Sequence, residues 1–341
     1  MSAHSELFWI VEPELERTCL YIARALAKHR REAPAIVGIQ LPEGLRTHFR
    51  ELAKYVSERT GAATAMLVEM CCGACMAEVH PALDAVLHFA HDPFPDRRRK
   101  GGKVYYVSYT PKLDVAKCVR KAVPSLKAPV GVLTTSTHAS FLPVILNELK
   151  AAGLRPVMAR GRRTGNSAIV LGCDLAAARS IAGKANSFLF VGSGSFHPIG
   201  VELATGRKVV GADPYSGEVR TFEDVRDRIL RQRFAAIEKA KSARTFGVLL
   251  GLYPGQQRLK DALALLKLLE ESGREAYLLA ARQFSPDNVN HLGLEALVST
   301  ACPRIAIDDG ARYPIPVLTP QELDIALGKM KWDDYRMDEF Q

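Results

Sequence analysis

The 341-residue sequence lacks any apolar run of the roughly 18 residues that a membrane-spanning helix needs. Its opening, MSAHSELFWIVEPELER, puts acidic side chains where a secretory signal carries a basic and then an apolar stretch. A cytoplasmic protein with no membrane role is expected. Cysteines are few and odd in number: Cys19, Cys71, Cys72, Cys75, Cys118, Cys173 and Cys302 do not make a disulfide framework in a reducing compartment. A zinc knuckle is missing too, because no second Cys-x-x-Cys or His-x-x-x-His follows the CCGAC of residues 71–75, and His80 alone does not complete one.

What remains is the make-up of an ordinary globular protein, with 48% hydrophobic and 24% charged residues. The length fits two or three domains, each with a core of usual size. The net charge of +9 is partly gathered in basic clusters at 28–31, 97–100 and 160–163. These read as solvated loop charge able to attract phosphate or acidic protein surfaces. No direct nucleic-acid role is expected.

Short apolar, β-branched segments bounded by turn formers predict strands at 35–40, 65–69, 85–89, 104–109, 130–134, 168–171, 187–191, 208–211, 245–250, 276–280, 297–299 and 305–308. Amphipathic helices are predicted between them, at 15–27, 141–152 and 259–272 for example, with a charged connector at 222–243. Alternation of this kind is the signature of α/β layers. The chain divides into three similar α/β domains, 1–125, 126–243 and 244–341. Each third opens on a strand that runs into a Gly, Pro, Ser or Thr loop, and each has a later strand running into cysteine: Cys75, Cys173 and Cys302. The separations from opening strand to cysteine are 35, 39 and 52 residues. Because ligands gather at the carboxyl ends of strands in open α/β sheets, three such ends would surround one central cluster site.

Three thiolates on a four-iron cluster leave one iron open to a substrate, the logic of a catalytic rather than a structural centre. The competing readings are a redox dithiol of Cys72 and Cys75 at a helix start, and cysteines that merely pack as small apolar side chains. Three strand-end cysteines in three repeats favour the cluster. The single-loop motif Cys-x-x-x-Cys-x-x-Cys of the usual radical S-adenosylmethionine enzymes is absent, since Cys71 and Cys75 fit its first interval but Glu78 takes the third position.

The segments LPEGLR (41–46), GACMAE (73–78), LGCDLAAAR (171–179), FVGSGSFHPIGVELATGRKV (190–209), DPYSGE (213–218), STACPRIAIDD (299–309) and PVLTPQEL (316–323) resemble, in order, the archaeal diphthamide synthase family. The resemblance implies a homodimer of three-domain subunits with a 4Fe-4S cluster held by Cys75, Cys173 and Cys302. It implies one-electron cleavage of S-adenosylmethionine and transfer of the 3-amino-3-carboxypropyl radical to C2 of a histidine in translation elongation factor 2, with electrons from a donor the sequence does not identify. The chain departs from the family pattern at Cys72 and Met76, which flank Gly-Ala-Cys in place of Tyr and Asp, and at Ser195, where the glycine loop often carries Arg.

The loops at the other strand ends supply candidates for cradling S-adenosylmethionine: Glu43 and Gly44, Thr134, Gly192, Gly194 and His197, and Gln256. Glycines there allow close backbone approach to a ligand, although GSGSFHPIG lacks the third glycine of a dinucleotide fingerprint. Two other readings stay open on the residues: a quinolinate synthase type 4Fe-4S dehydratase, and a non-enzymatic basic protein with zinc-bound or core cysteines.

Overall fold

The computed structural model describes residues 6–28, 33–93 and 103–340. The basic cluster 97–100 and all but the first residue of 28–31 lie outside them. The chain forms two compact units, Met1–Leu113 with Ser136–Leu142, and Asp114–Thr135 with Pro143–Gln341.

In the first unit, α1 (Glu6–Leu26), β1 (Ile36–Gln40), α2 (Phe49–Thr60), β2 (Ala63–Met66), β3 (Ala85–Phe89) and β4 (Val104–Val107) build a parallel sheet of order β2-β1-β3-β4. Helix α2 stops at Gly61, whose φ of +68° suits glycine and lets its N–H reach the Ser57 carbonyl. Leu15, Ile22, Leu52 and Val56 from the helices cover Val37, Ile39, Leu87 and Phe89 of the sheet. Strand β3 is buried at every position, which explains its unbroken apolar reading and makes the polar His88 within it conspicuous.

The second unit carries two sheets. Helix α3 (Val115–Ala122) leads into β5 (Val130–Thr134), α4 (Leu142–Ala151), β6 (Pro156–Val157), α5 (Ala176–Arg179), β7 (Ser187–Val191), α6 (Phe196–Thr205), β8 (Val209–Asp213) and β9 (Glu218–Arg220). The sheet order is β6-β5-β7-β8-β9, parallel except for β9. Helix α3, which the sequence division leaves with the first third, packs on this sheet: Cys118 Sγ lies 3.8 Å from the Glu218 carbonyl, and Lys121 Nζ donates to the Gly217 carbonyl at 3.0 Å.

Helix α7 (Glu223–Lys241) follows, then β10 (Thr245–Gly251), α8 (Leu259–Glu271), β11 (Glu275–Ala281), β12 (Ala296–Ser299), α9 (Arg304–Ile307), β13 (Val317–Leu318) and α10 (Pro320–Ala326). Their parallel sheet has the order β11-β10-β12-β13. The charged helix α7 is more than a connector. Val225 and Ile229 join the core of the preceding sheet, whereas Ile237 and Ala240 join that of the last one. Deeper in, Arg233 of α7 is 4% exposed and pairs at 2.6 Å with the fully buried Glu322, which also caps α10 by accepting the Thr319 N–H at 2.8 Å.

All three sheets place their first strand between their second and third, the arrangement in which ligands collect beside the opening strand. The repeat is therefore real in topology, but the cysteines do not occupy equivalent places. Cys75 and Cys173 follow the second strands β2 and β6, whereas Cys302 follows the third strand β12, and this accounts for the longer separation of 52 residues. Two predicted strands are corrected. Residues 168–171 touch β5 only through an isolated Thr134–Ile169 bridge, because the chain turns sharply at Gly172 and Cys173, and residues 305–308 fall largely within α9.

Candidate functional site

None of the seven cysteines is in a disulfide. Cys19, Cys71 and Cys118 are buried and Cys72 is exposed, while Cys75, Cys173 and Cys302 are each half-buried at a loop beyond a strand end. Inert cysteines pack as core side chains. These three are instead only half-buried, which leaves their thiols partly accessible.

Cys75 is the middle residue of a single 3-10 turn, Ala74–Met76, closed by the Met76 N–H on the Gly73 carbonyl at 3.1 Å. Met76, one of the departures from the family pattern, is buried, and its thioether sulfur accepts the Cys72 N–H at 3.4 Å. Its carbonyl accepts from Gln40 Nε2 at 3.4 Å, tying the turn to the end of β1. Glu43 and Gly44 are the exposed start of the 3-10 turn Glu43–His48, and a Cβ at Gly44 would meet nothing within 4 Å. The residue of that loop with structural work is Arg46, whose Nη2 donates to the Val68 and Glu69 carbonyls at 3.2 and 2.7 Å and so braces the loop that runs from β2 to the cysteines.

Cys173 sits at the tip of a tight turn closed by reciprocal Leu171–Asp174 backbone bonds of 3.0 and 3.1 Å. Buried Asp174 stabilises the turn by accepting the Arg163 and Ala176 N–H groups at 2.6 and 3.1 Å. Arg163 Nη1 then donates to Cys173 Sγ at 3.1 Å, and Nη2 donates to the Gly255 carbonyl at 2.9 Å. One guanidinium thus joins the cysteine turn to the YPGQ loop after β10. Phe340 completes the arrangement: its N–H bonds the Cys173 carbonyl at 3.0 Å, and its ring lies between the guanidinium groups of Arg163 (4.8 Å) and Arg258 (4.9 Å). Arg258 also holds Asp338 at 2.7 Å, and burial pushes that carboxyl up to about 6 despite the neighbouring cation.

Cys302 lies between Thr300, whose hydroxyl donates to the Leu249 carbonyl at 2.8 Å, and the short helix α9, whose Ile305 N–H returns to the Cys302 carbonyl at 3.1 Å. Arg304 projects over the Phe196 ring at 5.3 Å. Gly172 meets Phe196 as well, since a Cβ there would overlap the ring. Phe196 is accordingly shared by the Cys173 turn and the Cys302 loop.

Beside Phe196 opens a cavity of about 640 Å³ lined in part by Gly194, His197, Arg228, Arg304 and Asp308. Gly194, at φ +81°, exposes its backbone there. His197 stacks on Phe190 at 5.8 Å, and burial, assisted by Arg304, pushes its imidazole down to about 4. Ser195 also borders the cavity; the positive charge there comes from Arg228 and Arg304. Gly192 lies at the buried end of β7. Thr134 is engaged elsewhere: its fully buried hydroxyl donates to the Val191 carbonyl at 2.7 Å and ties β5 to β7. Gln256 is buried, its N–H on the Tyr253 carbonyl at 2.8 Å.

Arg46, Arg163, Arg258, Arg304 and Phe340 escape a reading of the sequence. Arg163 falls in the cluster 160–163 read as solvated charge, and nothing local distinguishes it from its neighbours. Arg304 and Arg46 stand inside recognised segments, which is the only linear signal they give.

The chain is similar over residues 41–336 to the family model described as diphthamide synthesis protein. It is 32% identical over 309 residues to the 2-(3-amino-3-carboxypropyl)histidine synthase of Pyrococcus horikoshii, covering 88% of this chain and 87% of that one. It is 27% identical to subunit 1 of the corresponding synthase of Nematostella vectensis, covering 95% of this chain and 69% of that one. The crystal structure of Dph2 from Pyrococcus horikoshii with a 4Fe-4S cluster superimposes with a TM-score of 0.82 at 30% identity, covering 95% of this chain and 93% of the other. With an ordered match over most of its length and the same fold, the chain belongs to the diphthamide synthesis protein family.

Proposed function

We propose that this protein is a 2-(3-amino-3-carboxypropyl)histidine synthase, transferring the 3-amino-3-carboxypropyl group of S-adenosylmethionine to a histidine imidazole of translation elongation factor 2. The observation that carries the reading is the similarity to the Pyrococcus horikoshii synthase and to its cluster-bearing structure. The dehydratase reading has no comparable support. Cys75, Cys173 and Cys302 are the ligands of a 4Fe-4S cluster, and their shared half-buried state fits a donor set that must meet both a metal centre and a substrate. When bound, the cluster supplies the electron that cleaves the sulfonium, and its potential depends on hydrogen bonds to the ligand sulfurs.

The remaining work belongs to the chain. Arg163 offsets the charge of the Cys173 sulfur and holds its turn. The cavity at Gly194 and His197 lies within the roughly 300–1,000 Å³ range of small-molecule sites. Arg228 and Arg304, the latter held through Nε by Asp308 at 2.6 Å, suit the carboxylate of the methionine part, and the backbone of Gly194 permits close approach. His197, held neutral by burial, offers an uncharged face beside a cationic sulfonium. Glu43, Gly44, Gly192 and Gln256 complete the proposed substrate contacts, and Thr134 contributes by fixing the end of β5. No helix among the described residues is long and apolar enough to cross a membrane, and we place the protein in the cytoplasm as a homodimer.

The test is an anaerobic assay of reconstituted protein with S-adenosylmethionine, dithionite and archaeal elongation factor 2. Methylthioadenosine and a target peptide heavier by one 3-amino-3-carboxypropyl group are expected, with cluster iron lost in C75A, C173A or C302A. Release of 5′-deoxyadenosine with an unmodified peptide overturns the assignment.

A further inference from the structure

Cys71, His88 and His91 form a cluster in the first unit that the proposed reaction does not use. One donor atom from each lies within 4.8 Å of the other two. They come from separate segments. Cys71 is buried in the loop after β2, His88 is fully buried in the middle of the first sheet on β3, and His91 follows β3. Between the histidines, Ala90 adopts φ +66°, a left-handed conformation that a non-glycine residue holds only against a strain of about 1–3 kcal/mol. That kink turns the chain so that His91 Nδ1 comes to 3.0 Å from His88 Nε2.

The surroundings fix the tautomer. Gln40 Nε2 donates to the Met76 carbonyl at 3.4 Å, which leaves Gln40 Oε1 as the acceptor that His88 Nδ1 meets at 2.7 Å. His88 Nδ1 therefore carries the proton, and its Nε2 lone pair points at the cluster. Histidine ligands are characteristically oriented in this way by a hydrogen bond to the far ring nitrogen. Gln40 sits opposite His88 in the β1–β3 register, so the support is built into the sheet. Burial also keeps both imidazoles neutral, the form that binds metal.

We propose that Cys71, His88 and His91 bind one divalent transition-metal ion of the zinc type, with the fourth position left to water. Tetrahedral bonds of about 2.0–2.1 Å to nitrogen and about 2.3 Å to sulfur set donor atoms roughly 3.5 Å apart, a spacing this cluster reaches with small side-chain shifts. Binding releases the Cys71 thiol proton to solvent, and the proton that His91 Nδ1 donates to His88 Nε2 moves by exchange with solvent to His91 Nε2, so that both imidazoles remain neutral ligands. The ion would clamp the loop bearing Cys75, four residues beyond Cys71, to the end of β3.

The experiment is a Co²⁺ titration of the full chain with its iron–sulfur cluster reconstituted and loosely held metal removed by a chelator. The expected result is one Co²⁺ per chain with thiolate-to-cobalt charge-transfer absorption and the intense visible bands of four-coordination. The signal should vanish in C71S, weaken by more than about 100-fold in H91A, beyond what loss of a ligand's supporting partner gives, and persist in C75A. Circular dichroism establishes that each variant is folded. If either fails to fold, X-ray absorption of the wild-type cobalt protein decides, one sulfur and two imidazoles being required. No uptake, uptake indifferent to C71S and H91A, or uptake abolished by C75A overturns the proposal.

Discussion

Arg163 Nη1 donates to Cys173 Sγ at 3.1 Å, while its other terminal nitrogen holds the Gly255 carbonyl at 2.9 Å. A cation that donates to a ligand sulfur favours the more negatively charged, reduced form of a cluster. R163M should therefore move the cluster potential to a more negative value, while activity falls about 10- to 100-fold, the usual effect of removing a partner of a metal ligand. R163K should fall between, because lysine keeps the charge but not the fork. A redox titration followed by electron paramagnetic resonance reads the potential directly. An unchanged potential in R163M would reduce Arg163 to a loop brace.

Gly172 is the point at which the Cys173 turn lies against Phe196, with no room for a Cβ. G172A should destabilise the fold by about 1–3 kcal/mol, the range for overpacking in a filled site. It should also lower iron content by displacing the adjacent Cys173. Urea unfolding and iron analysis check the two effects, and F196L in the same background should relieve part of both by shrinking the opposing group.

The Arg233–Glu322 pair joins α7 to α10 at 4% and 0% exposure. Arg233 also donates to the Ala306 and Val317 carbonyls, which hold α9 and β13. E322Q leaves a cation buried without its counter-ion and should cost about 3–5 kcal/mol by urea denaturation. R233M/E322M should regain much of this, but not all, because the two carbonyls lose their donor.

His197 gives the protein a specific acid sensitivity. Its imidazole is held at about 4 in the folded chain against an ordinary 6.5. Between those values the unfolded state binds a proton that the folded state does not, so stability rises with pH through this window and is lost as pH falls. The stability lost approaches about 3 kcal/mol once the pH is below both values. The fall in urea midpoint between pH 6.5 and 4 should be smaller in H197Q than in wild type, whereas parallel curves would refute the assignment.

The opening strands were legible because β1, β5 and β10 are buried almost throughout and read as apolar runs between turn formers. Strands β6, β9 and β13, of two or three residues, are too short to show any period. Residues 305–308 misled because IAID is apolar enough for a strand, yet Pro303 and the Ile305 return to Cys302 start a helix there. Cys75, Cys173 and Cys302 stood out by their position after strands. The role of Arg163 depends on a turn 10 residues away and a loop 92 residues away, the second a separation that no local pattern encodes. Cys71, His88 and His91 leave no linear zinc signal, because the two histidines are separated by only two residues, fewer than the usual three to five, and Cys71 lies 17 positions before His88.

The docking of Phe340 between two guanidinium groups bears on how the protein is handled in the laboratory. The family match spans 41–336. A fragment trimmed to those limits discards β1, which lies inside the first sheet, together with the segment seated on the Cys173 carbonyl. Such a fragment would be a poor substitute for the whole polypeptide, and purification handles belong at the amino end rather than just downstream of an aromatic plug.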